Sequence, residues 1–371
     1  MNILQVCSAE NLGGGERHVI DLTEGLIRRG HHLHLAVRPR SPLRAALAGL
    51  PVTFHELPLR NALDFASVRQ LSRIVRAERI DILHAHVGRD YIVCGLVARL
   101  NPPLRLFLTR HHFNRIRSNA FYRWAVSSAR ALIAVSETVR SRLVDAFPHL
   151  GDHILVIPNW LPSASDQKPV PRDDARRRLS VTHPLAVAII GQISPLKGQD
   201  IFIAAAIELL KSDLTKTEFS PEFLIVGAPG PDDQSFATRL IEQVEHSGFN
   251  DRIRFTGFVE DIVHNLAAFD IVTLLSENEA FSLVLVEAMA AGCAVVATRV
   301  GGMAEIVEDG ETGIFTDRDQ RSLTAAISRL ATNPALRREL ARHASHDVRQ
   351  RFDRERIIDR LEELYLTSAS K

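Results

Sequence analysis

Residues 269–313 read FDIVTLLSENEAFSLVLVEAMAAGCAVVATRVGGMAEIVEDGETG. The opening run to Leu275 is apolar and β-branched over the length of one strand. Residues 276–280 turn polar and small, and 281–291 collect the Leu, Glu, Ala and Met of a helix. Gly292 ends that helix, and AVVAT follows as the next strand. Two carboxylates fall inside this unit. Glu279 stands at the strand-to-helix turn, where open α/β sheets bind ligands and where the helix dipole alone also favours an acid. Glu287 lies between Val286 and Ala288 in the most hydrophobic helix of the chain, so its carboxylate needs a bonding partner.

Outward from this segment, the totals set the frame. At 371 residues the chain exceeds one growing core, which predicts two domains. Hydrophobic content of 46% and charged content of 24% describe a soluble globular protein. A formal charge of +1 gives no support to a nucleic-acid partner. Cys7, Cys94 and Cys293 lie in apolar surroundings and are too scattered for a disulfide framework, which points to a reducing compartment. Neither a secretory signal nor a run of about 18 apolar residues is visible, so the expectation is a cytoplasmic protein.

The first half alternates strands and helices. MNILQVCS is a strand, NLGGGER a loop, HVIDLTEGLIRRG a helix stopped by Gly30, and HHLHLAV the next strand. Gly13, Gly14 and Gly15 therefore occupy the first strand-to-helix loop. Bare backbone there can approach a phosphate or sugar, or simply form a tight turn. Strand stretches recur at 52–59, 81–86, 104–112, 131–137 and 153–160. Helical stretches lie at 65–78, 90–100, 114–128 and 137–147 between them, a doubly wound α/β pattern.

His84, His86, His111 and His112 gather at two strand ends. His111 and His112 point apart if extended, and no Asp or Cys completes a ligand set, so no metal is expected. A neutral histidine donating to a sugar hydroxyl or a departing oxygen is the better chemistry. Residues 105–142 interleave Arg105, Arg110, Arg115, Arg117, Arg123, Arg130, Arg140 and Arg142 with Phe107, Phe113, Phe121, Tyr122 and Trp124. This suits either an anionic membrane surface or a solvated face backed by core aromatics.

The Pro- and Ser-rich stretch LPSASDQKPVP at 161–171 is the natural linker. Beyond it LAVAIIG is a strand, QISPLKGQD a loop and IFIAAAIELL a helix. Lys197 on that loop suits a diphosphate, and a surface lysine is the plain alternative. Only five of the chain's 45 basic residues are lysines, which favours the first reading. Further strands at 222–226 and 253–259 and helices at 232–248 and 260–269 lead to the opening segment. A helix from Gln320 to Leu330 and a charged final stretch of one or two helices follow it.

The spacing Glu279, Phe281, Glu287-Ala288-Met289-Ala290, Gly292, Gly301-Gly302, Glu305 and Gly310-x-x-Gly313 resembles the nucleotide-sugar site of the large retaining glycosyltransferases, group 1 or family 4. That family includes bacterial cell-surface and lipopolysaccharide enzymes. The resemblance implies a GT-B fold, α/β with two Rossmann-like doubly wound domains facing each other across a cleft. Its parts are an acceptor-side domain at 1–160, a linker at 161–180, a nucleotide-sugar domain at 181–345, and a helix at 346–371 crossing back to the first domain.

On the same resemblance Glu287 binds the ribose, Glu279 orients the donor sugar, and amides at Ser282, Leu283 and Val284 meet the diphosphate with Lys197, Gly14 and Gly15. His111, in Thr109-x-His111, lies near the transferred sugar. His86, Ser136 and Glu137 line the cleft, with helix capping as the plain reading of Ser136. Gln192 stands where the family carries an arginine, which removes one countercharge from the diphosphate site. Catalysis is expected to need no metal and no cofactor. The implied partners are a nucleotide-sugar donor, a glycan or lipid-linked acceptor and, through 105–142, the inner face of the plasma membrane. A non-catalytic nucleotide-sugar sensor and a sugar-nucleotide epimerase are the competing readings.

Overall fold

The computed structural model describes residues 1–61, 63–114, 118–162, 170–212 and 220–367. Arg115, Arg117, linker residues 163–169 and the last four residues of the final stretch lie outside the described residues. Met1–Pro162 with Arg354–Lys371 makes one compact unit, and Ser163–Asp353 makes the other.

In the first unit seven parallel strands form one sheet: β1 (Asn2–Cys7), β2 (His32–Val37), β3 (Val52–Glu56), β4 (Ile82–Ala85), β5 (Arg105–Arg110), β6 (Ala129–Ala134) and β7 (Ile154–Val156). Their order is β3-β2-β1-β4-β5-β6-β7, with Ile3 opposite both Leu33 and Ile82. The chain winds outward from β1 in one direction and from β4 in the other. The loops after these two strands therefore part at the switch point, where such sheets open a crevice for ligands. The first helix, Gly14–Arg28, buries Val19, Leu22 and Leu26 on the sheet. The last, Arg354–Thr367, packs against it through Ile358, and buried Arg354 donates to Asp21 O.

The second unit repeats the plan with six strands: β8 (Leu185–Ile190), β9 (Pro221–Val226), β10 (Ile253–Gly257), β11 (Ile271–Leu274), β12 (Ala294–Thr298) and β13 (Ile314–Thr316). Their order is β10-β9-β8-β11-β12-β13, all parallel, so the switch point falls between β8 and β11. Every residue of β8, β9, β11 and β12 is buried. That burial is why these strands read as mostly apolar runs, broken only by buried Glu222 in β9 and Thr273 and Thr298 in β11 and β12: helices cover both faces of a parallel sheet. Phe202, Phe223, Ile271 and Leu323 sit in the core between them.

Boundaries differ from the sequence reading where local caps decide. The expected helix 114–128 begins only at Ala120, because Asn119 accepts from Tyr122 N. The helix at 281–291 is Leu283–Ala290, started by the Ser282 hydroxyl accepting from Leu285 N. The polar stretch 260–269 splits into a four-residue helix, Ile262–Asn265, and a tight turn, Leu266–Ala268. The charged final stretch is two helices, Pro334–Arg351 and Arg354–Thr367. The break falls at Phe352 and Asp353, so residues 346–351 continue the preceding helix and stay with the second unit. Among the described residues no helix is long and apolar enough to cross a membrane.

Candidate active site

In the second unit the loops leaving β8 and β11 meet at the switch point. Lys197 closes the tight turn Pro195–Lys197, and its Nζ donates to Glu279 Oε2 at 2.6 Å and to Ser276 Oγ at 3.4 Å. Ser276 Oγ donates to the same carboxylate oxygen at 3.3 Å, and Thr298 Oγ1 donates to Ser276 O at 2.7 Å. The backbones are tied as well, by Glu277 N to Leu196 O at 2.9 Å. Two residues chosen from loops 82 positions apart thus form one ion pair.

Glycine makes this approach possible. Gly198 has φ +77°, and a Cβ there would lie 2.7 Å from Leu275 Cβ. Gly301, at φ +50°, runs against the turn holding Glu279; its Cβ would sit 1.9 Å from Glu279 O. Gly302 N donates to that same oxygen at 2.9 Å. Arg318 fastens the two loops from behind, Nε donating to Leu275 O at 2.9 Å and Nη2 to Pro195 O at 2.5 Å.

Glu287 lies on the Leu283–Ala290 helix with 1% exposure, so it is not a solvated surface residue. Ser282, Leu283 and Val284 form the first turn of that helix, whose unbonded amides and positive dipole end suit an anion. Its other end is closed by Arg349 and Ser345, both donating to Ala290 O. Gln192 is committed to its own unit. Its Nε2 donates to Asp233 Oδ2 at 3.1 Å, and Gln199 Nε2 donates to Gln192 O at 3.0 Å.

In the first unit, Gly14 and Gly15 begin the helix after β1, and a Cβ on Gly15 would touch the His111 ring at 3.5 Å. His111 follows β5, and its Nε2 lies 3.4 Å from Nδ1 of buried His86, which follows β4. His18, on the Gly14–Arg28 helix, joins them with its ring centroid 4.5 Å from that of His111. His18 Nδ1 pairs with Asn159 Oδ1 at 2.9 Å, and Trp160 covers the ring. His84 is spent structurally between Tyr365 Oη at 2.6 Å and Thr109 Oγ1 at 2.7 Å. Burial without an acidic partner holds all four imidazoles neutral, with His18 lowered to about 3 and the others well below the ordinary value.

Ser136 takes the plain reading offered for it: its hydroxyl accepts from Val139 N as a helix cap. Glu137 pairs with Arg140 at the surface. The basic stretch divides. Arg105 donates inward to Tyr365 O, and Phe107 and Tyr122 are core residues. Phe121, Arg123 and Trp124 face solvent. The three cysteines are buried and free, and burial pushes the Cys7 and Cys293 thiols up to about 12, which removes them as nucleophiles.

His18, Asn159 and Arg318 escaped the sequence reading. His18 looks like any histidine on an amphipathic helix, and Asn159 stands 141 positions away. Arg318 is hidden among about forty arginines, and its bonds to the two loops are to backbone oxygens.

The glycosyl transferases group 1 family matches residues 184–333, and glycosyltransferase family 4 matches residues 12–164. The chain is 30% identical to the lipopolysaccharide core biosynthesis mannosyltransferase LpcC of Rhizobium leguminosarum, over 85% of each protein. It is 25% identical to an N-acetyl-alpha-D-glucosaminyl L-malate synthase of Bacillus anthracis, over 96% of this chain and 94% of that one. Among solved structures, a glycosyltransferase from Rickettsia africae superposes with a TM-score of 0.89 at 21% identity, covering 100% of this chain and 99% of that one. The Anabaena protein HepE in complex with UDP superposes with a TM-score of 0.85 at 24% identity, covering 99% and 100%.

Proposed function

The chain belongs to the group 1 and family 4 glycosyltransferases, and we propose that it moves a sugar from a nucleotide diphosphate to a hydroxyl of a glycan or lipid-linked acceptor, with retention and without a metal. One observation carries the reading: the Lys197–Glu279 pair, held between glycine-relieved loops at the switch point of the second unit.

In this reading the nucleotide sugar enters that point. Glu287 accepts from the ribose hydroxyls, and the first turn of the Leu283–Ala290 helix meets the diphosphate. Lys197 turns from Glu279 to the phosphate oxygens, and Glu279 accepts from a donor-sugar hydroxyl. The bond from the anomeric carbon to the β-phosphate oxygen breaks, and the acceptor oxygen bonds to the same face. The acceptor proton passes to the departing phosphate. Fixed donors and a lysine then replace a cation in stabilising the leaving charge. In the first unit, His111 and His86 serve as neutral hydrogen-bonding groups for a sugar hydroxyl, with Gly14 and Gly15 leaving them room.

The UDP complex of HepE lends support to a nucleotide donor, and the lipopolysaccharide relative to an envelope acceptor. Exposed Phe121, Arg123 and Trp124 support peripheral contact with the cytoplasmic face of a membrane. The test is a screen of UDP-, GDP- and ADP-sugars against lipid-linked and free glycan acceptors, following nucleotide release and product anomeric configuration by NMR. Acceptor-dependent release with a retained anomer supports the reading. Donor binding without release under any acceptor favours a sensor, for which neutral Gln192 at the diphosphate loop is the motive. Conversion of the donor without an acceptor favours an epimerase.

A further inference from the structure

The histidine group of the first unit has a property that sugar positioning does not require. One ring nitrogen from each of His18, His86 and His111 lies within 4.8 Å of the other two. The Asn159 carbonyl oxygen takes the His18 Nδ1–H, which leaves the Nε2 lone pair facing inward. His18 Nε2, His86 Nε2 and His111 Nδ1 are all buried without a hydrogen-bond partner among the described residues. His18 Nε2 is thus a buried lone pair without a donor, at a cost that a bound cation would remove.

We propose that His18, His86 and His111 form a site for a divalent transition metal of the zinc class. The donor set selects the metal: three imidazoles and no carboxylate suit Zn²⁺, Co²⁺, Ni²⁺ or Cu²⁺ and reject Mg²⁺ and Ca²⁺. The His86–His111 separation of 3.4 Å is long for an N–H···N bond. It matches the edge of a tetrahedral site, about 3.3 Å for Zn–N bonds of about 2.0–2.1 Å. His18 closes the triangle by moving inward, backed by Asn159 as an orienting partner. Burial already keeps the rings neutral at pH 7, so ligation displaces no proton from them. A metal here occupies His111, so on the transfer reading given above it inhibits and is not a cofactor.

Metal binding is tested directly, independent of turnover. Chelator-stripped full-length protein is titrated with Co²⁺, following the visible absorption of tetrahedral cobalt, and then back-titrated with Zn²⁺. The expected result is one Co²⁺ per chain, displaced by Zn²⁺. His18→Ala and His86→Ala should each weaken affinity by about 100-fold, and Asn159→Ala by about 10-fold. Absence of a stoichiometric site, or wild-type affinity in both histidine variants, overturns the proposal. Should those variants fail to fold, zinc-edge X-ray absorption of the wild type decides: three imidazole nitrogens support the site, and two or fewer overturn it. Zinc binding with unimpaired sugar transfer would leave the site standing and remove His111 from the transfer reading.

Discussion

At the scale of single residues, Lys197 separates folding from function. Its ion pair with Glu279 is partly exposed, with 34% and 19% of the two side chains accessible, so it adds at most about 1 kcal/mol to stability. If its purpose is to meet a leaving diphosphate, the same side chain is worth far more in the transition state. Lys197→Met should therefore lower kcat by about 10²- to 10³-fold while thermal unfolding moves by no more than a few degrees. Steady-state kinetics beside a melting curve checks both halves, and a variant with near-normal kcat would remove Lys197 from the chemistry. Legibility at this scale was uneven. Glu287 could be named as a carboxylate on an apolar helix and Lys197 as a rare lysine on a strand-to-helix loop, whereas Glu279 was named through the family resemblance. His18 could not, because what distinguishes it is burial against Asn159 and Trp160, contacts that close only when the sheet is folded.

The elements that carry the site depend on two local devices. The Ser282 hydroxyl fixes where the Leu283–Ala290 helix begins, and thus where its free amides point. Ser282→Ala should cost about 1 kcal/mol of stability and weaken donor binding, measured by denaturant titration and calorimetry. Gly301 is the sharper test. With φ at +50° and Glu279 O standing where its Cβ would go, Gly301→Ala must push the Glu279 turn away. The expected outcome is an unfolding loss of about 1–3 kcal/mol with sugar transfer reduced far more than stability. Full activity in that variant would mean that the Glu279 turn needs no such support.

Strands were legible here because both faces of a parallel sheet are buried, so apolar runs such as Leu185–Ile190 stand out. Four-residue pieces, the helices Leu43–Ala46 and Met303–Ile306, were not, since so short a run shows no period. The three-residue strand Ile314–Thr316 escaped for the same reason. Helix starts were misplaced at the Asn119 and Ser282 caps, whereas those after Asp64, Ser136 and Asp319 fell where the sequence reading put them.

For the whole molecule the buried histidines predict acid sensitivity. His18, His84, His86 and His111 all have folded values below the unfolded 6.5, with His18 at about 3. Between those limits the unfolded chain binds more protons, so the stability they contribute is fully present above pH 6.5 and is lost as pH falls. Buried Asp90 acts oppositely. Desolvation raises it from 3.8 to about 6, so its cost to folding grows as pH rises through that window and is complete above it. These four groups set against Asp90 contribute a slope of up to about 4 kcal/mol per pH unit, and His34, His55 and His183, also lowered by burial, act in the same direction. Melting temperature should fall steeply from pH 6.5 to pH 5, and less steeply in His84→Gln. A flat profile over that range would contradict the burial of these rings.

The two-unit α/β plan was readable from the alternation of strands and helices and from the Pro- and Ser-rich linker. Donor base, donor sugar and acceptor were not, because backbone and apolar side chains shape those pockets and carry no local signature. On the proposed reading the second unit holds a nucleotide sugar through Glu287, a buried carboxylate on an apolar helix. Isothermal titration of the protein and of Glu287→Gln with UDP-, GDP- and ADP-sugars tests it most directly. One nucleotide class should bind the wild type and bind the variant at least about 10-fold more weakly, a loss of about 1.4 kcal/mol. Equal binding by the two proteins, or no binding of any nucleotide sugar, would contradict the account.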